Sequence, residues 1–401
     1  MPRQVPIHSP AMTHSRSADA WRGALGGSAL RVAVPPFVAS KLIGVLVPMA
    51  TVWARSPGVG VPPASRFLTP FALWDGATYT RIATHGYPAG PLDLAPGSSG
   101  QLWSRFPGYP LLVHLVSYVV PQTVVAAMVV SAAAELVALY FLAKLILLER
   151  DGDEGSARFG CWALAVFPYA VYLTTAYTES SFLAASIAAL YLSRRGRDGA
   201  AAAAAAAAIF IHVSGLALVP ALAAEHLWRR RGRPGWGLVP IAASLVALLL
   251  FVLWAWRLSG DPLAYVHEVE SASFNRLPAW PWSGASTTWA SFTHGTGGNS
   301  FIFGMEMLFG TGALLGIVSM ALRWREIPVS FTVYAAGVWV LSASVIYWLG
   351  MPRLMMTVAP FYLLLADLTR GRPRVRSVML AASAGWMGFI AMLVATGQFV
   401  A

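Results

Sequence analysis

The segment that decides the fold is TVVAAMVVSAAAELVALYFLAKLILL, residues 123–148. It contains only two charged side chains, Glu135 and Lys144. A helix of about 20 apolar residues is long enough to cross the hydrocarbon core of a bilayer. The segment therefore predicts a transmembrane α-helix.

Comparable apolar segments recur along the whole chain, which has 401 residues and is 57% hydrophobic and 11% charged. A soluble domain carries roughly 25% charged residues. Because hydrocarbon excludes charge, this deficit predicts an all-α, polytopic transmembrane bundle of about ten spans. The predicted spans are residues 30–53, 123–148, 157–173, 178–193, 199–228, 236–256, 303–322, 328–349, 354–368 and 378–394.

The polar segments define the domain organisation. Residues 1–28 are rich in Ser, Arg and Pro and predict a disordered tail, and residues 29–401 form a single transmembrane domain. Two long loops, about 54–122 and 257–300, interrupt the spans. Within the first loop, residues 108–120 predict a helix that lies at the membrane interface.

Arginine predicts the orientation. It supplies nearly all of the +11 net charge, because the chain has only two lysines, Lys41 and Lys144. Short loops rich in arginine stay in the cytoplasm, so we expect the N-terminus inside and both long loops outside. This placement at helix ends favours topology control over nucleic-acid binding. Scarce lysine and long alanine runs indicate a GC-rich bacterial genome and hence a bacterial inner membrane. The basic clusters are residues 194–197, 229–233, 323–325 and 370–376.

One segment, residues 199–228, has basic clusters on both sides and should enter and leave the membrane at the same face. The sequence His212-Val213-Ser214-Gly215 interrupts it. Two half-helices that meet inside the membrane are therefore expected, because irregular backbone is tolerated there only under a cover of protein or water.

The first outer loop carries a candidate base, Asp75, directly after Trp74. A carboxylate at the membrane surface can have its pKa adjusted and accept a proton. Asp is also a favoured helix N-cap, and the spacing alone favours that interpretation. In the second loop, Asp261 before Pro262 is typical of a helix start.

Further ionisable side chains lie in or beside the spans. Arg353 is an exception to the cytoplasmic placement of arginine, since the predicted topology puts it on the outer side. Its guanidinium could hold a phosphate or extend to lipid headgroups. Glu179 is a functional candidate or a partner of its helix dipole. Glu135 is a candidate too, or a residue that bonds to a neighbouring helix.

Several kinds of site are excluded. The sequence contains no phosphate-binding glycine loop, zinc motif or nucleophile elbow, which argues against a soluble nucleotide donor. The single cysteine, Cys161, excludes an intrachain disulfide. No metal-binding residue is predicted, and the need for a divalent metal stays open.

Four segments together resemble the GPI mannosyltransferase II (PIG-V-like) family. The first is WDGATYTRIATHGY at residues 74–87, and the second is FPGYPLL at residues 106–112. The third lies at residues 168–180 and includes Pro168 and Thr178-Glu179-Ser180, and the fourth is GDPLAY at residues 260–265. They occur in the family's order over most of the chain.

The resemblance implies a GT-C fold and a membrane glycosyltransferase that uses a polyprenyl-phosphate sugar, commonly mannose. It implies that Asp75 deprotonates an acceptor hydroxyl, whose oxygen displaces the lipid phosphate with inversion. Arg353 and Arg81 would bind that phosphate. A bacterium is not expected to make GPI anchors, so the acceptor would be another lipid, a glycan or a protein. The implied pocket comprises Trp74, Tyr79, His85, Tyr109, Glu179 and His212, where His212 stands near a position that is arginine in related proteins.

Two other functions compete with transfer. A transporter or lipid flippase would place polar groups along a path through the membrane midplane, whereas these candidates gather at the outer face. A non-catalytic subunit of an envelope-assembly complex would keep its function after Asp75→Ala.

Overall fold

The computed structural model describes residues 18–56 and 62–400. Within these ranges the chain is helical and has no β-strand, and one antiparallel bridge joins Pro278 and Val345. The all-α prediction is confirmed. The α-helices are α1 (Ala18–Ala54), α2 (Ala64–Leu68), α3 (Asp75–His85), α4 (Gly108–Ser117), α5 (Thr123–Glu149), α6 (Glu154–Ala165), α7 (Glu179–Arg194), α8 (Asp198–Ile211), α9 (Leu218–Arg229), α10 (Leu238–Ala243), α11 (Val246–Ser259), α12 (Ala264–Glu270), α13 (Pro281–His294), α14 (Gly298–Leu322), α15 (Val329–Ala343), α16 (Met351–Met356), α17 (Pro360–Leu368) and α18 (Pro373–Ala395).

Five helical segments of the described chain are long and apolar enough to cross a membrane, and each coincides with a predicted span. The predicted total of about ten spans stays a prediction. Helix α1 begins at Ala18, within the last part of the predicted tail, because a helix propagates readily from an apolar span. Residues 1–17 lie outside the described residues. The five segments are Gly27–Ala54, Thr123–Glu149, Leu238–Ser259, Gly298–Leu322 and Pro373–Ala395.

Two of the predicted spans are divided near a proline. The span 157–173 divides into α6 and a 3-10 turn at Ala170–Leu173, with Pro168 between them. The span 354–368 divides at Pro360, where α17 begins. Proline cannot donate the backbone hydrogen bond that a continuing helix needs, so both helices end before it. A third predicted span, 328–349, ends early, because α15 stops at Ala343.

The predicted break in residues 199–228 is present. The first half, α8, ends at Ile211, and a 3-10 turn leads into the second half, α9. Asp198 at the start of α8 contacts His226 (2.7 Å) near the end of α9, and it also pairs with Arg229. The two halves therefore leave from and return to the same end of the bundle, as expected.

Charged side chains gather at two opposite ends of the bundle. At one end of α7, Arg194 lies 2.6 Å from Glu149 and 2.7 Å from Glu225. At the other end, Glu179 lies 3.4 Å from Arg353. A helix of 16 residues separates these ends by about 23 Å. The basic cluster at residues 194–197 thus lies at the end of α7 away from Glu179.

Glu135 bonds to a neighbouring helix. Of the two interpretations that the sequence left open, this is the structural one. Its fully buried carboxylate lies 2.5 Å from the Lys41 ammonium of α1. Lys41 also donates to the Leu173 carbonyl (2.8 Å) and to the Thr174 hydroxyl (2.9 Å). The pair therefore ties α1 and α5 to the irregular segment that precedes α7.

Both long loops are largely helical. The first contains α2, α3 and α4, and the second contains α12 and α13. In α4, Tyr109 and Val113 are buried against the bundle whereas Leu111 and Leu115 are exposed, which suits the predicted helix at the interface. The two loops meet the ends of α7 and α16, and the candidate site lies where they meet.

Candidate active site

Asp75 is the first residue of α3 and its carboxylate caps no helix. The N-cap position is Trp74, and no side chain bonds to the free N–H groups there. The N-cap interpretation is therefore wrong, because arginines from distant segments take up the carboxylate. Trp74 has φ 49°, a left-handed conformation that is costly for a bulky residue. Such strain often accompanies functional sites, and here it immediately precedes Asp75.

The backbone around Asp75 is clamped to the segment before α7. The Ala176 N–H donates to the Phe71 carbonyl (2.7 Å), and the Tyr177 hydroxyl donates to the Leu73 carbonyl (3.0 Å). These bonds join two segments that are about a hundred residues apart in sequence. They bring the start of α3 next to Glu179, the first residue of α7.

Two guanidinium groups hold the Asp75 carboxylate. Arg105 donates to Oδ1, and Arg353 Nη1 donates to Oδ2 at 3.2 Å. The same Arg353 nitrogen lies 3.4 Å from Glu179 Oε1. Arg353 therefore links the two carboxylates. The Asp75 side chain keeps 28% of its surface exposed, so a ligand can reach it.

These arginines determine the protonation of Asp75. Burial raises the pKa of Asp75, but Arg105 and Arg353 outweigh it and lower this pKa to about 2. The carboxylate is therefore ionised at neutral pH and is a weak base while both arginines contact it. A general base is most effective when its pKa lies near the working pH, so Asp75 could act as one only if the arginines turned to another anion.

The lowered pKa predicts how the stability of the ligand-free protein depends on pH. Ionised Asp75 stabilises the fold above its ordinary pKa of 3.8, and this stabilisation is lost as the pH falls towards the folded value of about 2. The unfolding temperatures of wild type and Asp75→Asn should differ by a constant amount between about pH 5 and 8, and by less below about pH 4. Thermal unfolding in detergent measures this. A difference that changes between about pH 6 and 7 would contradict the assignment.

Aromatic rings fix the two guanidinium groups. Arg353 lies over the rings of Tyr172 (5.1 Å) and Tyr177 (5.2 Å). Arg105 lies over Tyr79 (5.7 Å) and also over Phe274 (5.2 Å). Stacking on a ring orients the planar guanidinium without using up its N–H donors. Both groups thus remain able to donate to a ligand.

A separate set of contacts positions the turn that carries Arg353. Glu306 of α14 is fully buried and accepts hydrogen bonds from the Gly350 N–H (2.8 Å) and the Met351 N–H (2.7 Å). Gly350 has φ 91°, which glycine adopts without strain. Arg276 Nη2 donates to the Leu349 carbonyl (2.6 Å), and within the described residues Arg276 forms no ion pair. A third guanidinium therefore flanks the same turn.

Four residues predicted for the site do meet: Asp75, Tyr79, Glu179 and Arg353. Three others make the following contacts. The Tyr109 ring packs against Tyr79 (5.4 Å), and its hydroxyl bonds to Ser131 (3.0 Å). His212 Nδ1 accepts a bond from the Ser214 N–H (3.1 Å) and so caps the break between α8 and α9. The Trp74 ring packs on Phe399 (5.6 Å).

Two predicted residues lie outside the cluster. Arg81 and His85 are exposed on α3, and His85 Nδ1 contacts the neighbouring Thr84 hydroxyl (2.7 Å). Arg81 makes no ion pair in the part of the chain that the structure describes. Their helical spacing turns them away from Asp75, and the phosphate-binding role of Arg81 stays a prediction. Arg105 and Arg276 lie in or beside the cluster, and the rule that singled out Arg353 as an arginine of a predicted outer segment would also have found them.

Across residues 18–56 and 62–400, no group of three or more His, Cys, Asp or Glu side chains is arranged to hold a metal ion. No family model matches the chain, and no curated protein matches it. The PIG-V-like family therefore remains a prediction from the four sequence segments.

Two solved structures are similar over most of this chain. ArnT from Cupriavidus metallidurans bound to undecaprenyl phosphate is 14% identical, with a TM-score of 0.49, and the match covers 91% of this chain and 63% of that one. The archaeal oligosaccharyltransferase AglB from Archaeoglobus fulgidus, in complex with an inhibitory peptide and a dolichol-phosphate, is 12% identical, with a TM-score of 0.46, and the match covers 93% and 56%. This chain thus spans less than two thirds of either protein. A likeness at this level assigns no function.

Proposed function

We propose that this chain is a membrane glycosyltransferase of the GT-C type, which transfers a sugar from a polyprenyl-phosphate donor to an acceptor hydroxyl. The observation that carries the proposal is the contact of Arg353 with both Asp75 and Glu179, at one end of an apolar helical bundle. A guanidinium matches the geometry of phosphate, and a carboxylate beside it can accept a proton. A polyprenyl chain would bring its phosphate to this depth.

The identity of the substrates rests on the sequence resemblance. It favours mannose as the sugar and a lipid, glycan or protein as the acceptor. The distribution of arginine favours the bacterial inner membrane, with the N-terminus in the cytoplasm and the site on the extracytoplasmic face. Both long loops contribute to the site, through Asp75 and Arg105 from the first and Arg276 from the second.

The donor phosphate would activate the base. Its negative charge competes with Asp75 for Arg105 and Arg353, which lower the pKa of Asp75 in the ligand-free protein. When the guanidinium groups turn to the phosphate, Asp75 loses this stabilisation of its ionised form. The added negative charge nearby raises its pKa further. Donor binding therefore makes Asp75 a stronger base in the presence of the reacting sugar.

The chemical step is a displacement at the anomeric carbon. Asp75 takes the proton of the acceptor hydroxyl, and the acceptor oxygen forms a bond to the anomeric carbon as the bond from that carbon to the phosphate oxygen breaks. The polyprenyl phosphate leaves with an added negative charge, which Arg353 and Arg276 stabilise. Attack from the side opposite to the phosphate inverts the configuration.

A transfer assay tests this function. Purified protein in liposomes would receive polyprenyl-phosphate mannose with a radiolabelled sugar, together with a bacterial envelope extract as acceptor. We expect label in a new glycosidic bond, and less of it from the corresponding glucose donor. GDP-mannose alone should give none, because the site is built for a lipid phosphate. Lipid movement without a new bond would favour a flippase, and an inactive protein would favour an assembly subunit.

A further inference from the structure

A cavity lies at the end of the bundle opposite to Asp75. It has a volume of about 330 Å³ and lies between α5, α7 and the turn that precedes α8. Its basic lining consists of Lys144, Arg195 and Arg197, and two tyrosines, Tyr140 and Tyr191, line it as well. Tyr140 and Lys144 lie in the last three turns of α5, and the other three lie within about a turn of Arg194, which contacts Glu149 at this end of the bundle.

The three cations of this cavity have no acidic partner. Within the described residues, no ion pair involves Lys144, Arg195 or Arg197. The neighbouring Arg194, in contrast, pairs with Glu149 and Glu225. The only other lysine of the chain, Lys41, is paired with Glu135. Like charges that converge without a counter-ion repel one another, so an anion in the cavity would stabilise this arrangement.

Contacts with tyrosines orient two of the three cations, Lys144 and Arg195. The Lys144 ammonium lies 5.1 Å from the Tyr140 ring and 5.1 Å from the Tyr191 ring, and it donates to the Tyr140 hydroxyl (3.3 Å). Arg195 donates to the Tyr191 hydroxyl (3.4 Å). The helix dipole explains why a cation such as Arg195 lies at the C-terminal end of α7. It does not explain Lys144, which belongs to α5 and lines the same cavity.

We propose that this cavity binds the phosphodiester headgroup of an anionic phospholipid, such as phosphatidylglycerol. Basic pockets between transmembrane helices suit such headgroups, and the rings of Tyr140 and Tyr191 can cover the glycerol. Phe141 and Leu192 provide apolar lining for the start of the acyl chains. The site lies at the opposite end of α7 from Glu179, so lipid binding here does not depend on the function proposed for the Asp75 cluster.

Lipid titration of the purified full chain in detergent tests this proposal, with thermal unfolding and native mass spectrometry as readouts. Phosphatidylglycerol should raise the unfolding temperature and remain bound, whereas phosphatidylcholine with the same acyl chains should do neither. The triple variant Lys144→Met, Arg195→Gln, Arg197→Gln should bind phosphatidylglycerol about 100-fold more weakly, since each basic residue near an anionic headgroup contributes about fivefold. Lys144→Arg should keep the binding.

The matched control is Arg231→Gln, Arg233→Gln, Arg374→Gln, which removes three exposed charges from the same end of the bundle. It should bind phosphatidylglycerol as wild type does. Equal binding by the cavity variant, or equal loss in the control, would overturn the proposal. So would an equal effect of inorganic phosphate, which would make the cavity a site for free phosphate. Cooperative unfolding of both variants in phosphatidylcholine verifies that they are folded.

Discussion

Replacing Asp75 with Asn is expected to lower the rate of sugar transfer at saturating donor by at least about 100-fold, the usual contribution of a general base. The amide keeps the size of the side chain and can still accept a bond from Arg353, but it cannot take up the acceptor proton. Donor binding should be unchanged or tighter, because Arg105 and Arg353 no longer have to leave a carboxylate for the phosphate. Initial rates and donor binding in the same liposomes separate the two effects.

Asp261→Asn is the matched control for this variant. Asp261 belongs to the other long loop, and its carboxylate accepts a bond from the Leu263 N–H (2.8 Å) and contacts His267 (2.6 Å). These local bonds shape the start of α12, as the sequence predicted. We expect the control to transfer sugar at nearly the wild-type rate. If Asp75→Asn did so as well, Asp75 would not be the base.

Arg353→Ala should have the second large effect, again a loss of at least about 100-fold in transfer, and it should also weaken donor binding. The change removes a guanidinium that holds the phosphate, and truncating one partner of a buried charge pair costs about 3–5 kcal/mol. It also leaves Asp75 and Glu179 without the cation that lies between them. Arg353→Lys keeps the positive charge but not the planar guanidinium. Its transfer activity should therefore fall between that of wild type and that of Arg353→Ala.

Arg81→Ala separates this effect from a general loss of positive charge at this end of the bundle. Arg81 is exposed on the same helix as Asp75 and lies outside the cluster, so its removal should change transfer little. A large loss in Arg81→Ala and a small one in Arg353→Ala would restore the role that the sequence assigned to Arg81. Thermal unfolding of Arg353→Ala with and without donor shows whether a loss reflects binding or folding.

The sequence predicted the features that depend on local pattern. Apolar length is sufficient to identify α5 and α14, and the break after Ile211 follows from basic clusters on both sides of one apolar segment. The predicted outer position of Arg353 pointed to a site, because a translocated arginine would need a physical reason. Hydropathy did not resolve the helix ends near Pro168 and Pro360, although proline itself signals them.

The remaining features depend on contacts between distant parts of the chain. Arg105 and Arg353 reach Asp75 from positions 30 and 278 residues away, and Glu306 orients the Arg353 turn from 44 residues away. No local pattern encodes such pairings. For the same reason, spacing favoured Asp75 as a helix cap, whereas its carboxylate is taken up by arginines that only the folded chain brings to it.

A donor labelled at two positions tests the central claim most directly: tritium in the mannose and ³²P in the polyprenyl phosphate, given to the wild-type protein in liposomes with acceptor extract. If the chain transfers the sugar, tritium moves to the acceptor while ³²P stays in free polyprenyl phosphate, in equal amounts, and Asp75→Asn prevents this separation. If both labels stay together on one lipid, whether or not that lipid crosses the bilayer, the chain is not a glycosyltransferase that uses this donor.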